Sequence, residues 1–153
     1  MIYQCQSGLQ SAETEILAIH CSDHRIQAGM REFLDEGLGL RSNYDSLVVP
    51  GGPQCLVAVQ ELPKFSWASR KWGRMLIEAH SLKRLLLIAH QDCGWYQWLE
   101  QWQPTHGAVR QKQEADLRAA SRAALEIHSG LAVDLFFAGW NDGGTISVEA
   151  LPA

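Results

Sequence analysis

Three short apolar runs constrain the fold of this chain more than any other feature of its sequence. Each ends in small or polar residues, and the runs are Glu15–His20, Ser46–Val49 and Arg84–Ala89. Because apolar residues fill them with little alternation, each run is typical of a strand that is buried on both faces of a sheet. The sequence therefore predicts at least three sheet strands with helices on either side.

Segments in which apolar residues recur at helical spacing separate these runs. The first extends from Ile26 through Met30 to Leu34 and is stopped by Gly37 and Gly39. The other helical segments are Trp67–His80 and Val109–His128. Near the end, Ala132–Ala138 and Thr145–Val148 flank the turn Asn141–Gly144, which predicts a hairpin because its two glycines tolerate a positive φ.

Alternating strands and helices are typical of βαβ units, in which parallel strands are joined by helices that cover the sheet. We therefore predict an α/β fold that is a single domain over residues 1–153. Its mostly parallel central sheet is flanked by helices and carries a C-terminal hairpin strand. In such sheets ligands bind beyond the carboxyl ends of the strands, so the chemistry is expected there.

Composition narrows the class of protein further. The chain has 153 residues, 20% of them charged, with a net charge of -4, which argues against a disordered chain or a charge-driven nucleic-acid binder. No apolar run approaches the length of a membrane span. The four cysteines are scattered and form no Cys-x-x-Cys pair, as expected in a reducing compartment. We expect a soluble, cytoplasmic protein that binds neither nucleic acid nor membrane.

Metal-ligating side chains follow the first and third predicted strands. The first strand ends in His20-Cys21-Ser22-Asp23-His24-Arg25, and the third in Ala89-His90-Gln91-Asp92-Cys93-Gly94. If these strands are neighbours, Cys21, His90 and Cys93 converge on one point. Two thiolates and an imidazole suit Zn²⁺, and a set of three protein ligands leaves a fourth position open, which is typical of catalytic zinc. Buried, inert thiols are the alternative reading of Cys21 and Cys93.

Two further side chains bear on how such a site handles protons. Two thiolates cancel the charge of Zn²⁺, so a bound water is acidified less than it is beneath three histidines. Asp23 is close enough to Cys21 to accept a hydrogen bond from that water, or to bind the metal itself. Arg25 can hold Asp23 ionised and oriented. An ordinary loop ion pair is the alternative for these two residues.

The pair Cys21-Ser22-Asp23-x-Arg25 and His90-x-x-Cys93-Gly94 resembles the β-class carbonic anhydrases over most of the chain. The resemblance implies that Cys21, His90 and Cys93 bind zinc, that zinc-bound hydroxide hydrates CO2 to bicarbonate, and that Asp23 and Arg25 form the supporting catalytic pair. It also implies a homodimer or higher homo-oligomer with sites near the subunit interface.

Other residues near the motifs are candidates for the pocket. They are His24, a proton carrier or a solvated side chain; Gly51 and Gly52, an anion contact or, by default, a turn; and Gly94 with Trp95. The loop Val49–Pro53 stands where the family usually has Arg-Asn-Ala-Gly-Asn. Trp95, Trp98, Leu99 and Trp102 recur at helical spacing, which favours a packing face over a ligand platform.

These departures leave two alternatives to a carbonic anhydrase. The same metal in an apolar pocket would hydrolyse carbonyl sulfide or carbon disulfide. A carbonic anhydrase-like binding or regulatory protein would keep the scaffold without turnover. The absence of the His-x-Glu and Pro-Cys-x-x-Cys motifs argues against a cytidine deaminase site.

Overall fold

The computed structural model describes residues 1–9, 12–57, 62–101 and 108–152. Its centre is a five-stranded sheet in the order β2-β1-β3-β4-β5. The strands are β1 (Ile16–Cys21), β2 (Asp45–Val49), β3 (Arg84–His90), β4 (Ala132–Trp140) and β5 (Ile146–Leu151). The first four are parallel to their neighbours and β5 is antiparallel to β4. The predicted fold class is confirmed.

The helices of the described residues are α1 (Gln27–Glu32), α2 (Pro63–His80), α3 (Gly94–Leu99) and α4 (Val109–Ile127). Short 3₁₀ helices cover His24–Ile26 and Gly52–Leu56, and one π-helical turn covers Phe33–Gly37. The predicted helical segment after β1 is therefore a succession of three helix types that ends at Gly37. Helix α2 begins at Pro63 rather than Trp67, since proline is favoured in a first helical turn. Trp102 lies outside the described residues.

Helices cover both faces of the sheet. On one face, Leu17, Leu87 and Phe137 pack with side chains of α2 and α4, such as Ile77 and Leu117. On the other face, strand residues pack against Ile26, Met30 and Leu34 of the segment after β1. Consecutive strand residues thus enter different cores, which explains why the predicted strands read as unbroken apolar runs.

Register brings the two sequence motifs to one edge of the sheet. Strands β1 and β3 pair with His20 opposite Ile88, so Cys21 and His90 both lie at the carboxyl ends of neighbouring strands. Strand β4 pairs with β3 so that Ala138 lies opposite His90, and its last residue is Trp140. Three strand ends therefore meet at this edge.

Candidate metal centre

The three predicted metal ligands come together at the carboxyl edge of the sheet. Cys21 ends β1 and His90 ends β3, and Cys93 immediately precedes α3. The turn between His90 and Cys93 is tight enough to hold Asp92 at a φ of 49°. One donor atom from each of the three residues lies within 4.8 Å of the other two.

All three side chains are buried, with exposed fractions of 5% for Cys21 and 1% for both His90 and Cys93. The Nδ1 atom of His90 lies 2.7 Å from the carbonyl oxygen of Gln91. A carbonyl only accepts hydrogen bonds, so Nδ1 carries the ring proton and Nε2 presents a lone pair. Within the described part of the chain, buried Nε2 has no hydrogen-bond partner. An orphaned buried nitrogen is costly, and a metal ion would satisfy it.

The donor spacing fits Zn²⁺. The Sγ atoms of Cys21 and Cys93 are 3.7 Å apart. Two zinc–sulfur bonds of about 2.3 Å at a tetrahedral angle separate the sulfurs by about 3.8 Å. Two sulfurs and one imidazole nitrogen are also the donor types that zinc prefers. The residues present therefore fit a zinc ion held by three protein ligands.

One of the two thiols ionises more readily than an isolated cysteine, and the other then holds its proton more tightly. A hydrogen bond from Cys93 lowers the pKa of Cys21, although burial opposes this shift. The pKa of Cys93 is raised because it donates that hydrogen bond, because it is buried and because the Cys21 thiolate lies beside it. A second negative charge in this buried space needs a cation next to it. Binding of a divalent ion should therefore release the remaining thiol proton.

Asp23 and Arg25 form a bidentate pair at the mouth of the site. Arg25 Nε lies 3.1 Å from both carboxylate oxygens and Nη2 lies 2.7 Å from Oδ2. These side-chain hydrogen bonds are the main reason that the pKa of Asp23 falls to about 2. The Asp23 side chain is 14% exposed and that of Arg25 is 49% exposed. Asp23 is therefore a fixed carboxylate at neutral pH.

A cleft of about 390 Å³ opens beside Cys21. Its lining residues are Cys21, Ser22, Asp23, His24, Arg25, Pro50, Gly94 and Trp95. The His24 side chain is 95% exposed, and its Nδ1 lies 3.9 Å from Asp23 Oδ1. Pro50 and Trp95 contribute the apolar part of its lining, beside the polar side chains of Asp23, His24 and Arg25.

The glycines after β2 pack closely against the backbone of the Cys21 strand and against Trp95. Gly51 and Gly52 have φ values of 74° and 54°, a conformation that L-residues rarely adopt. A Cβ on Gly52 would lie 2.8 Å from the Cys21 backbone nitrogen, and one on Gly51 would lie 2.3 Å from the Trp95 ring. The predicted turn therefore leads into a 3₁₀ helix that presses against the ligand-bearing strand. Gln54 in that helix accepts a hydrogen bond of 2.9 Å from Trp95 Nε1.

Sequence reasoning missed several residues that support the ligands. Trp140 stacks on the His90 ring, with ring centroids 6.2 Å apart. Gln113 of α4 donates to the His90 carbonyl at 2.7 Å, and Gln27 donates to the carbonyls of Cys21 and Asp23 at 2.9 and 2.6 Å. Trp140 could have been found because it ends a run that points to the same sheet edge. The two glutamines carried no local signal.

Comparison with known sequences does not assign the chain to a family. No protein-family model matches the chain. An uncharacterized protein of Rickettsia conorii is 28% identical in an alignment of 94 positions that covers 57% of this chain and 46% of that protein. The chain thus spans less than half the length of this relative.

Comparison with solved structures is more informative. Carbonic anhydrase of Streptococcus mutans is similar with a TM-score of 0.55 at 14% identity, over 89% of this chain and 81% of that one. A β-carbonic anhydrase of Trichomonas vaginalis gives 0.56 at 13% identity, over 93% and 86% of the two chains. One of two tetrameric β-carbonic anhydrases of Sordaria macrospora gives 0.53 at 15% identity, over 89% and 80%. The chain therefore has the β-carbonic anhydrase fold, as its two motifs predicted.

Proposed function

We propose that this protein is a zinc-dependent lyase that interconverts CO2 and bicarbonate. The observation that carries the proposal is the donor set itself: two Sγ atoms 3.7 Å apart beside a buried His90 Nε2 that has no partner among the described residues. Buried donors of this kind need a cation, and the cleft beside them has room for a small substrate. Zn²⁺, when bound, would acidify water and so supply a hydroxide nucleophile.

The residues around the donors have distinct tasks in this proposal. Gln91 and Gln113 hold His90 by its Nδ1 proton and its carbonyl oxygen, which keeps Nε2 directed at the thiols. Asp23 would accept a hydrogen bond from a water beside the metal donors and so orient it. A carboxylate with a pKa of about 2 is too weak a base to take the proton at neutral pH, so orientation is its task. Arg25 keeps Asp23 in place.

The apolar part of the cleft lining favours a small apolar substrate. Pro50 and Trp95 give the cleft an apolar side, and an apolar triatomic molecule such as CO2 requires little more for binding. Carbonyl sulfide and carbon disulfide share these properties and are the second candidates. Headspace assays with the three gases under matched conditions rank them, and CO2 is expected to turn over fastest.

The proposal also covers the domain organisation, cellular location and oligomeric state of the protein. We propose one domain over residues 1–153, acting in the cytoplasm as a homodimer or larger homo-oligomer. Free thiols at Cys21 and Cys93 are required for zinc, and a reducing compartment keeps them free. The exposed apolar side chains Trp67, Trp72 and Met75 of α2 suit a subunit contact. In the described part of the chain, no helix is both long and apolar enough to cross a bilayer.

Replacement of a ligand tests the proposal. Cys93→Ser should lose zinc and CO2 hydration together, because serine is a poor zinc ligand and two donors remain. Cys55→Ala is the matched control: it removes another buried cysteine, which lies in the core that faces α2 and α4, and it should keep both properties. Zinc is measured by elemental analysis and hydration by stopped flow on the same samples. A Cys93→Ser protein with full activity would refute the assignment. A wild type with one zinc per chain and negligible hydration would indicate a binding or regulatory protein.

A further inference from the structure

Trp140 lies between two parts of the candidate metal centre that are distant in sequence. Its ring is stacked on that of His90 with an interplanar angle of 29°. The Cζ atom of Arg25 lies 5.5 Å from the centroid of the Trp140 ring. The Trp140 backbone nitrogen donates to Gln91 Oε1 at 3.3 Å, which fixes the end of β4 against the turn after β3. The indole thus contacts both a metal ligand and the partner of Asp23.

Arg25 needs such support. Its Nη2 atom binds Asp23 Oδ2 at 2.7 Å and the Asp92 carbonyl at 2.9 Å, so the guanidinium joins the loops that follow β1 and β3. The side chain is nevertheless about half exposed, and ion pairs in contact with water are weak because solvent competes for both partners. A planar guanidinium over an aromatic face loses part of its freedom to rotate away.

We propose that Trp140 is a positioning residue that holds Arg25 over its indole face and thereby keeps the Asp23 carboxylate paired and away from the cation held by Cys21, His90 and Cys93. The inference rests on the proposed metal site. When the indole face is lost, Arg25 leaves Asp23 more often. The freed carboxylate, two residues from Cys21, then competes with outside ligands for the open position on the cation.

Azide binding to the cobalt(II)-loaded protein tests this inference through the visible absorption of the metal. Trp140→Leu is expected to weaken azide binding about two- to five-fold, the range that corresponds to an exposed cation–π contact. Trp140→Phe keeps an aromatic face and should stay within about two-fold of wild type. In the Asp23→Ala background, Trp140→Leu should have no further effect on azide affinity, because the competing carboxylate is gone.

A purely structural role would give a different pattern. It would lower the melting temperature or the cobalt affinity through His90 and weaken azide binding equally with and without Asp23. Trp140→Met, which keeps much of the side-chain volume, is measured in parallel so that a folding defect in the leucine variant does not prevent the test. Wild-type azide affinity in folded Trp140→Leu or Trp140→Met, or the same loss in the Asp23→Ala background, would overturn the inference. A wild type that binds cobalt and azide but hydrates no CO2 would refute only the proposed function.

Discussion

Gly52→Ala should distort the metal centre by displacing the backbone that carries Cys21. The new Cβ would lie 2.8 Å from the backbone nitrogen of Cys21, and 2.9 and 3.1 Å from the C and Cα atoms of His20. These are backbone atoms of a strand that pairs on both sides, so they cannot move aside as a flexible side chain would. Relief of the clash therefore requires a shift of the backbone itself, at the end of β1 with the Cys21 ligand or at Gly52.

The expected loss of stability in Gly52→Ala follows from a comparison of two glycines. Gly52 and Gly39 both have left-handed backbones, with φ values of 54° and 69°, but a Cβ on Gly39 meets nothing within 4 Å. Alanine at either site costs about 1–2 kcal/mol for the left-handed conformation. Overpacking adds about 1–3 kcal/mol at Gly52 alone. The difference between the two variants therefore isolates the clash, because changes in the unfolded chain are the same for both.

Urea unfolding of the zinc-free proteins measures this difference, and chelator competition measures the zinc affinity of the loaded ones. We expect Gly52→Ala to be less stable than Gly39→Ala by about 1–3 kcal/mol and to bind zinc more weakly. Gly39→Ala should bind zinc as the wild type does. Equal stabilities within about 0.5 kcal/mol, with unchanged zinc affinity, would show that the loop does not press on β1.

Two further predictions concern the mouth of the site. In zinc-free protein, the lowered pKa of Asp23 (about 2, against 3.8 ordinarily) stabilises the fold above a pH of about 4, and this stabilisation is lost as the pH falls towards about 2. The difference in melting temperature between wild type and Arg25→Leu should shrink as the pH falls over that interval. A difference that does not change with pH would contradict the pairing of Asp23 with Arg25. His24→Ala should lower the kcat of CO2 hydration in weak buffer and recover with added imidazole, since His24 is exposed beside Asp23. An unchanged kcat would identify His24 as a solvated side chain.

The sequence was sufficient to predict the sheet edge at which the candidate ligands meet. Buried parallel strands have a recognisable composition, and their carboxyl ends necessarily lie on the same side. Placing Cys21 and His90 at the ends of two such strands therefore predicted their proximity. The structure adds that β1 and β3 are direct neighbours, which the motifs required but local patterns did not establish.

Features created by tertiary contacts were not predictable in this way. The segment after β1 changes from α to π geometry between Glu32 and Phe33. Gly29 of α1 packs so closely on β5 that a Cβ would lie 2.7 Å from the Ile146 side chain. The 3₁₀ helix at Gly52–Leu56 is too short to show a period. The contacts of Trp140 and Gln113 with His90 join residues 23 or more positions apart. Such contacts depend on how the elements pack, which a single sequence does not reveal.

X-ray absorption at the zinc edge, on protein purified without added metal and assayed for CO2 hydration, tests the central claim most directly. We predict one zinc per chain, with two sulfur neighbours at about 2.3 Å and nitrogen or oxygen neighbours at about 2.0 Å. Cys93→Ser should lose this signal together with the activity. Zinc without sulfur neighbours, or a wild type that binds no zinc when it is supplied, would contradict the assignment of Cys21, His90 and Cys93 as its ligands.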